Sequence, residues 1–198
     1  SAAQLAERYL LKRQFSQART LVDKILAKKN NHGLAAIVKV KLLQQSGDDS
    51  AAKELLQSIA QEESPPPSVL YALGTLYYEQ KNFELAAKVL ERGRVLTPSD
   101  TKWLYELSKV YSQSGQNEKH IAILKELLPH DPEDLVGRKI VVRSLLAAKD
   151  YIAAEIIARE AIEIDVRDEE TRELYLQALI GQRKLQQVER LRKIFAAN

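Results

Sequence analysis

The chain is built on a single spacing. The stretch from Pro67 to Asp100 and the stretch from Thr101 to Asp134 are each 34 residues long and follow one another without a gap. Leu70, Leu73, Tyr77, Leu90 and Pro98 in the first are matched by Leu104, Leu107, Tyr111, Leu124 and Pro132 in the second. The same phase continues through Val141, Val142, Leu145, Ala154 and Ala158 downstream, and through Ala36, Leu43, Ala52 and Leu56 upstream. No insertion or deletion is needed, and the units run 1–32, 33–66, 67–100, 101–134, 135–168 and 169–198. A fixed period in this range means stacked copies of one supersecondary unit, so the repeat decides the architecture before composition is consulted.

Within each unit, apolar residues recur at intervals of three and four, break, and recur again. That is one face of a helix, twice. The breaks inside units fall at Arg13-Gln14, Gly47-Asp48, Lys81-Asn82, Gly115-Gln116, Lys149-Asp150 and Arg183-Lys184. Between units lie Asn30 to Gly33, Ser64 to Pro67, Thr97 to Asp100 and Asp131 to Asp134, where Pro ends one helix and Ser, Thr or Asp caps the next. The expectation is an all-α protein of about twelve helices in antiparallel pairs, stacked into a solenoid that forms one domain over 1–198. Only 7 Gly and 6 Pro in 198 residues fit so much helix, and small residues such as Gly74, Ala18, Ala52, Ala86 and Ala154 let paired helices approach closely.

Composition removes several chemistries. There is no Cys, so disulfides, thiolate zinc sites and thiol nucleophiles are excluded. The 30 basic and 27 acidic residues are interleaved, giving a net charge of +3 and no general attraction to nucleic acid or membranes. No apolar run is long enough to span a bilayer, so a soluble chain without direct membrane insertion is expected, in the cytoplasm or periplasm. Phosphate loops, nucleophile elbows and paired-histidine helix motifs are all missing, and His32, His120 and His130 lack ligand spacing. No enzyme activity, cofactor or metal is therefore expected. Asp168, Glu169 and Glu170 read as charges at a helix start. Neither Met nor an initiator is present, which fits a piece excised from a longer protein.

The unit Pro67–Asp100, with Leu70, Leu73, Gly74, Tyr77, Ala86, Leu90 and Pro98, resembles the tetratricopeptide repeat family, and the likeness extends in phase over essentially the whole chain. Departures are local: Gly93 stands where Ala is usual, Val40, Val142 and Leu176 replace a small residue of the first helix, and Lys39 and Arg138 occupy usually apolar places. The resemblance implies a bacterial-type scaffold that binds a peptide or helical segment of a protein partner in a concave groove lined by the first helix of each pair.

The groove positions carry Lys41, Tyr71, Tyr78, Lys102, Tyr105, Lys109, Lys139 and Arg143. Basic and aromatic side chains together suit an acidic segment: the cations meet carboxylates, and tyrosine offers flat amphipathic contact area. The family's chaperone-tail clamp is not expected, because the corresponding places hold Ala3, Glu7, Val38, Ser68 and Ala72. Two other readings stand beside this one: an accessory or regulatory domain of a larger multidomain bacterial enzyme or envelope-assembly factor, and an RNA-binding helical repeat, which is disfavoured because Ile37, Ala72, Ile140 and Leu174 interrupt any polar reading row. Leu191, Ile194 and Phe195 near the chain end form an expected docking face.

Overall fold

The computed structural model describes residues 1–196, and among them it contains twelve α-helices and no strand. They are α1 (Ala2–Leu11), α2 (Phe15–Lys28), α3 (Gly33–Gln45), α4 (Asp49–Ala60), α5 (Pro67–Glu79), α6 (Phe83–Leu96), α7 (Lys102–Gln113), α8 (Asn117–Leu127), α9 (Leu135–Ala147), α10 (Tyr151–Ile164), α11 (Glu169–Gly181) and α12 (Leu185–Ala196). The all-α reading therefore holds, with the helix pairing of an α-solenoid. No helix among the described residues is long and apolar enough to cross a membrane.

The helix-to-helix turns explain why the period is so strict. Residues 13, 47, 81, 115, 149 and 183, each the first of an expected break, all have positive φ: 57° at Arg13, 77° at Gly47, 57° at Lys81, 69° at Gly115, 59° at Lys149 and 60° at Arg183. The next residue then reaches back across the helix end. Gln14, Asp48, Asn82, Asp150 and Lys184 donate their backbone N–H groups to the carbonyls of Tyr9, Leu43, Tyr77, Leu145 and Leu179 at 2.8 to 3.0 Å. This left-handed closure satisfies carbonyls that a helix end leaves free.

The residue that closes one helix also opens the next. Asp48, Asn82 and Asp150 accept hydrogen bonds from the backbone N–H groups of Ala51, Leu85 and Ala153. Two jobs at adjacent positions leave no room for an insertion. Four of the six left-handed positions carry Arg or Lys, where Cβ crowds the backbone. Arg13→Gly, Lys81→Gly, Lys149→Gly and Arg183→Gly are each expected to raise stability by about 0.5 to 1 kcal/mol, and Gly47→Ala to lower it by about 1 kcal/mol. Urea denaturation of the single variants checks both signs.

Contacts gather the helices into two units, Ser1–Gly115 and Gln116–Asn198. In the first unit, each second helix packs on its own first helix and on the next first helix, while α1, α3, α5 and α7 neighbour one another in series. Ala6, Ala18, Val22, Ala35, Val38 and Leu42 form one core cluster there, all nearly inaccessible. Gly74 is needed where α5 meets α6, because a Cβ at that position would lie 2.6 Å from Leu90. Arg92 of α6 donates to the Ala60 and Glu62 carbonyls, placing a cation on the C-terminal end of α4.

In the second unit, Val141, Val142, Leu145, Ala154, Ala158, Leu176, Ala178 and Leu179 belong to one buried cluster. The bulky Val40, Val142 and Leu176 are accommodated in the two cores, at 5%, 1% and 6% exposure. Lys39 keeps its charge at the surface by pairing with Asp23 at 2.5 Å. Arg138, in contrast, is buried.

Candidate functional site

Ile37, Lys41 and Gln44 come from α3, Tyr71 and Thr75 from α5, and Lys102 from the start of α7. Neighbouring first helices bring them to one face, where they line a cleft of about 460 Å³ in the first unit. The i, i+4 pairs Ile37/Lys41 and Tyr71/Thr75 lie on one side of their helices, which is why the 34-residue rows of the sequence reappear as walls of the cleft.

Tyr71 is the best anchored of these groups. Its hydroxyl donates to Glu106 at 2.9 Å, and its ring meets the Trp103 ring edge-on, with centroids 5.9 Å apart. Burial, followed by the hydrogen bond to Glu106, holds its pKa above the ordinary tyrosine value. The Lys102 ammonium lies 5.8 Å from the Tyr71 centroid and 5.0 Å from that of Trp103, a cation-π arrangement. Lys102 also pairs with Asp100, and the hydrogen bond from Lys102 pulls the Asp100 carboxyl below its usual pKa.

The other expected groove residues have different surroundings. Lys109 is exposed but pairs with Glu106 at 2.9 Å, so one carboxylate serves both Lys109 and Tyr71. Tyr78 turns to the α5–α6 corner, where its ring stands 5.9 Å from that of Phe83. Tyr105 is exposed outside the cleft. Lys41 is also exposed, and among the described residues it has no hydrogen bond or ion pair.

In the second unit, Lys139 reaches Asp168 at 3.2 Å and Glu170 at 3.0 Å, and Arg143 pairs with Glu170. The hydrogen bond that Lys139 donates to Glu170 is the largest influence raising the Lys139 pKa. The acids at the start of α11 therefore do more than favour the helix N-terminus. Asp168 caps it by accepting from the Thr171 N–H at 2.8 Å while also holding Lys139. Sequence reasoning missed Glu106 and Glu170 as counter-charges; their signal was an offset of 35 residues from Tyr71 and 27 from Arg143, a repeat length displaced towards the adjacent helix.

At the chain end, Leu191 and Phe195 pack against the second unit's core. Arg172 donates to the Phe195 carbonyl at 3.1 Å and stands 5.1 Å over its ring. Of the three residues expected to form a docking face, Ile194 is the exposed one, at 46%.

Residues 67–93 match the tetratricopeptide repeat family. The fold is similar to that of solved structures that share little sequence. A complex described as Naa15/Naa10 bound to HypK-THB matches with a TM-score of 0.73 at 16% identity, over 96% of this chain and 30% of that one. YrrB, described as a TPR protein with an unusual peptide-binding site, matches at 0.59 and 16% identity, over 92% of this chain and 90% of that one. The pilF protein of Pseudomonas aeruginosa matches at 0.57 and 18% identity, over 99% and 86%. Comparison with curated proteins returns no match.

Proposed function

We propose that this chain, a member of the tetratricopeptide repeat family by its repeat at 67–93 and its fold, is a non-catalytic protein-interaction scaffold. The cleft of the first unit receives a peptide or helical segment of a partner protein. The observation that carries this reading is the pairing, in one cleft, of a pinned aromatic and a cation without an internal partner: Tyr71 is held by Glu106, while Lys41 stands free beside Ile37 and Thr75. A preorganised ring loses little freedom on binding, and an unpaired ammonium sacrifices no internal bond when it meets a carboxylate.

This moves the weight of acid recognition onto Lys41. Lys102, Lys109, Lys139 and Arg143 already hold carboxylates of their own chain, so a partner acid gains less from them. Partners named for similar proteins agree in kind: a peptide-binding site in YrrB, and HypK bound to Naa15/Naa10. The accessory-domain reading draws support from the latter match, where the similar region is 30% of a longer chain.

Lys41→Glu and Tyr71→Ala are each expected to weaken capture of the partner segment by about tenfold or more, while Lys109→Ala changes it by less than about threefold. Calorimetric titration against an acidic peptide selected on the wild-type protein checks this. Undiminished binding by Lys41→Glu discards the cleft.

A further inference from the structure

The second unit holds another cleft, of about 660 Å³, outside the groove positions. Its floor is the stretch of α9 that carries Arg138, Val141 and Leu145, set between α8 and α10, which make no close backbone approach to each other. Leu128, Val141, Leu145, Ala153, Ile156 and Ile157 give it apolar walls. Apolar side chains with a few convergent polar groups, in a concavity of this size, are the usual make-up of a small-ligand site.

The polar group is Arg138, which lines this cleft from a place in the repeat pattern that is usually apolar. It is 5% exposed, and its Nη1 donates to the carbonyls of Asp131 at 3.1 Å and Asp134 at 3.3 Å. Its Nε, buried in the same wall, has no hydrogen-bond partner. A buried guanidinium with an unused donor costs free energy unless something completes it. The acids nearby do not. Asp150 is committed to capping α10 through the Ala153 N–H, and Glu160, 46% exposed to solvent, balances the charge as an ion pair 3.4 Å from Nε but makes no hydrogen bond to it. Lys125 adds a second cation at the rim.

We infer that this cleft binds an aliphatic carboxylate: an anionic head on the Nε edge of Arg138, in place of Glu160, and an acyl chain laid along the α9 floor towards Leu145. From Arg138 to Leu145 the floor runs about 10 Å at 1.5 Å per helical residue, which suits a chain of medium length. A carboxylate matches the planar donor edge of arginine better than a hydroxyl does, and the apolar walls supply the remaining affinity.

The test is calorimetric titration of the whole chain with decanoate, using decanol as the uncharged control. Decanoate is expected to bind at least tenfold more tightly than decanol. Glu160→Gln, which removes the competing carboxylate, is expected to raise decanoate affinity about threefold to tenfold, and Arg138→Gln to lower it at least tenfold. Ile156 is half exposed, so Ile156→Asp keeps the fold, checked by circular dichroism, while spoiling the wall; it is expected to abolish binding. Absence of decanoate binding overturns the inference, as do equal affinity for decanol, unchanged binding by Ile156→Asp, or weakened binding by Glu160→Gln.

Discussion

Gly93→Ala, which gives the repeat its usual residue, is expected to destabilise the protein by about 2 to 4 kcal/mol. The cause is one ring. A Cβ at Gly93 would lie 2.3 Å from Cη2 and Cζ3 of Trp103, far inside contact distance. The ring cannot swing aside, since Trp103 is fully buried and its indole N–H donates to Thr97 Oγ1 at 2.7 Å. Thr97 is fixed in turn by donating to the Gly93 carbonyl at 3.2 Å. Glycine inside α6 gives up about 1 kcal/mol of helix propensity relative to alanine, yet the space it leaves admits the largest side chain of the core. Trp103→Leu alone should cost about 2 to 4 kcal/mol through the vacancy it leaves, whereas Gly93→Ala combined with Trp103→Leu should fall well short of the sum. A coupling of about 1 to 3 kcal/mol from urea denaturation, followed by circular dichroism because Trp103 is the one tryptophan, confirms the pair. Additive costs would mean that the ring and the glycine are independent.

The Gly93–Trp103 pair also marks where the sequence stops being legible. The period located every helix and every left-handed turn, because those features depend on local backbone chemistry repeated in each unit. Gly93 registered only as a departure, since the residue that requires it lies on the next helix. Groove side chains behave similarly. Position in the repeat placed Lys41 and Tyr71 on the cleft, but did not reveal that Lys109 would fold back on Glu106, or that Lys139 and Arg143 would be held by the first turn of α11. Ion pairing depends on side-chain rotamers between neighbouring helices, and a pattern of residue types does not specify these. Arg138 is the sharpest case. In the sequence it is one local departure at a usually apolar place, whereas its surroundings pair one end of the guanidinium with loop carbonyls and leave Nε, 3.4 Å from Glu160, without a hydrogen bond.

Glu155 carries the other large expected effect. It lies on α10 with its side chain 7% exposed, and it accepts hydrogen bonds from Arg159 at 2.8 Å, Gln182 at 2.7 Å and Lys184 at 2.6 Å. Gln182 and Lys184 belong to the turn between α11 and α12, so one buried carboxylate ties the last hairpin to the helix beneath it. Gln182 also donates to the Tyr151 carbonyl at 2.9 Å. Glu155→Ala strands these donors and is expected to cost about 2 to 3 kcal/mol, a value kept moderate because Lys184 and Arg159 retain access to water. Glu155→Gln keeps the volume but loses the charge, and should cost about 1 to 2 kcal/mol. Burial pushes the Glu155 pKa up, but the hydrogen bonds from Lys184, Gln182 and Arg159 outweigh it and leave the pKa below the ordinary glutamate value. A depressed folded pKa means that the stabilisation is fully present above the unfolded value, about 4.3, and is lost as pH falls through the folded one. The wild-type advantage over Glu155→Gln should therefore persist at pH 7 and 5.5 and shrink below about pH 4. Hydrogen exchange adds the spatial check: in Glu155→Ala the α12 amides should exchange faster at pH 7, while those of α1 to α4, in the other unit, keep their rates. Uniform acceleration throughout the chain would assign Glu155 to global stability instead of to the anchoring of the last hairpin.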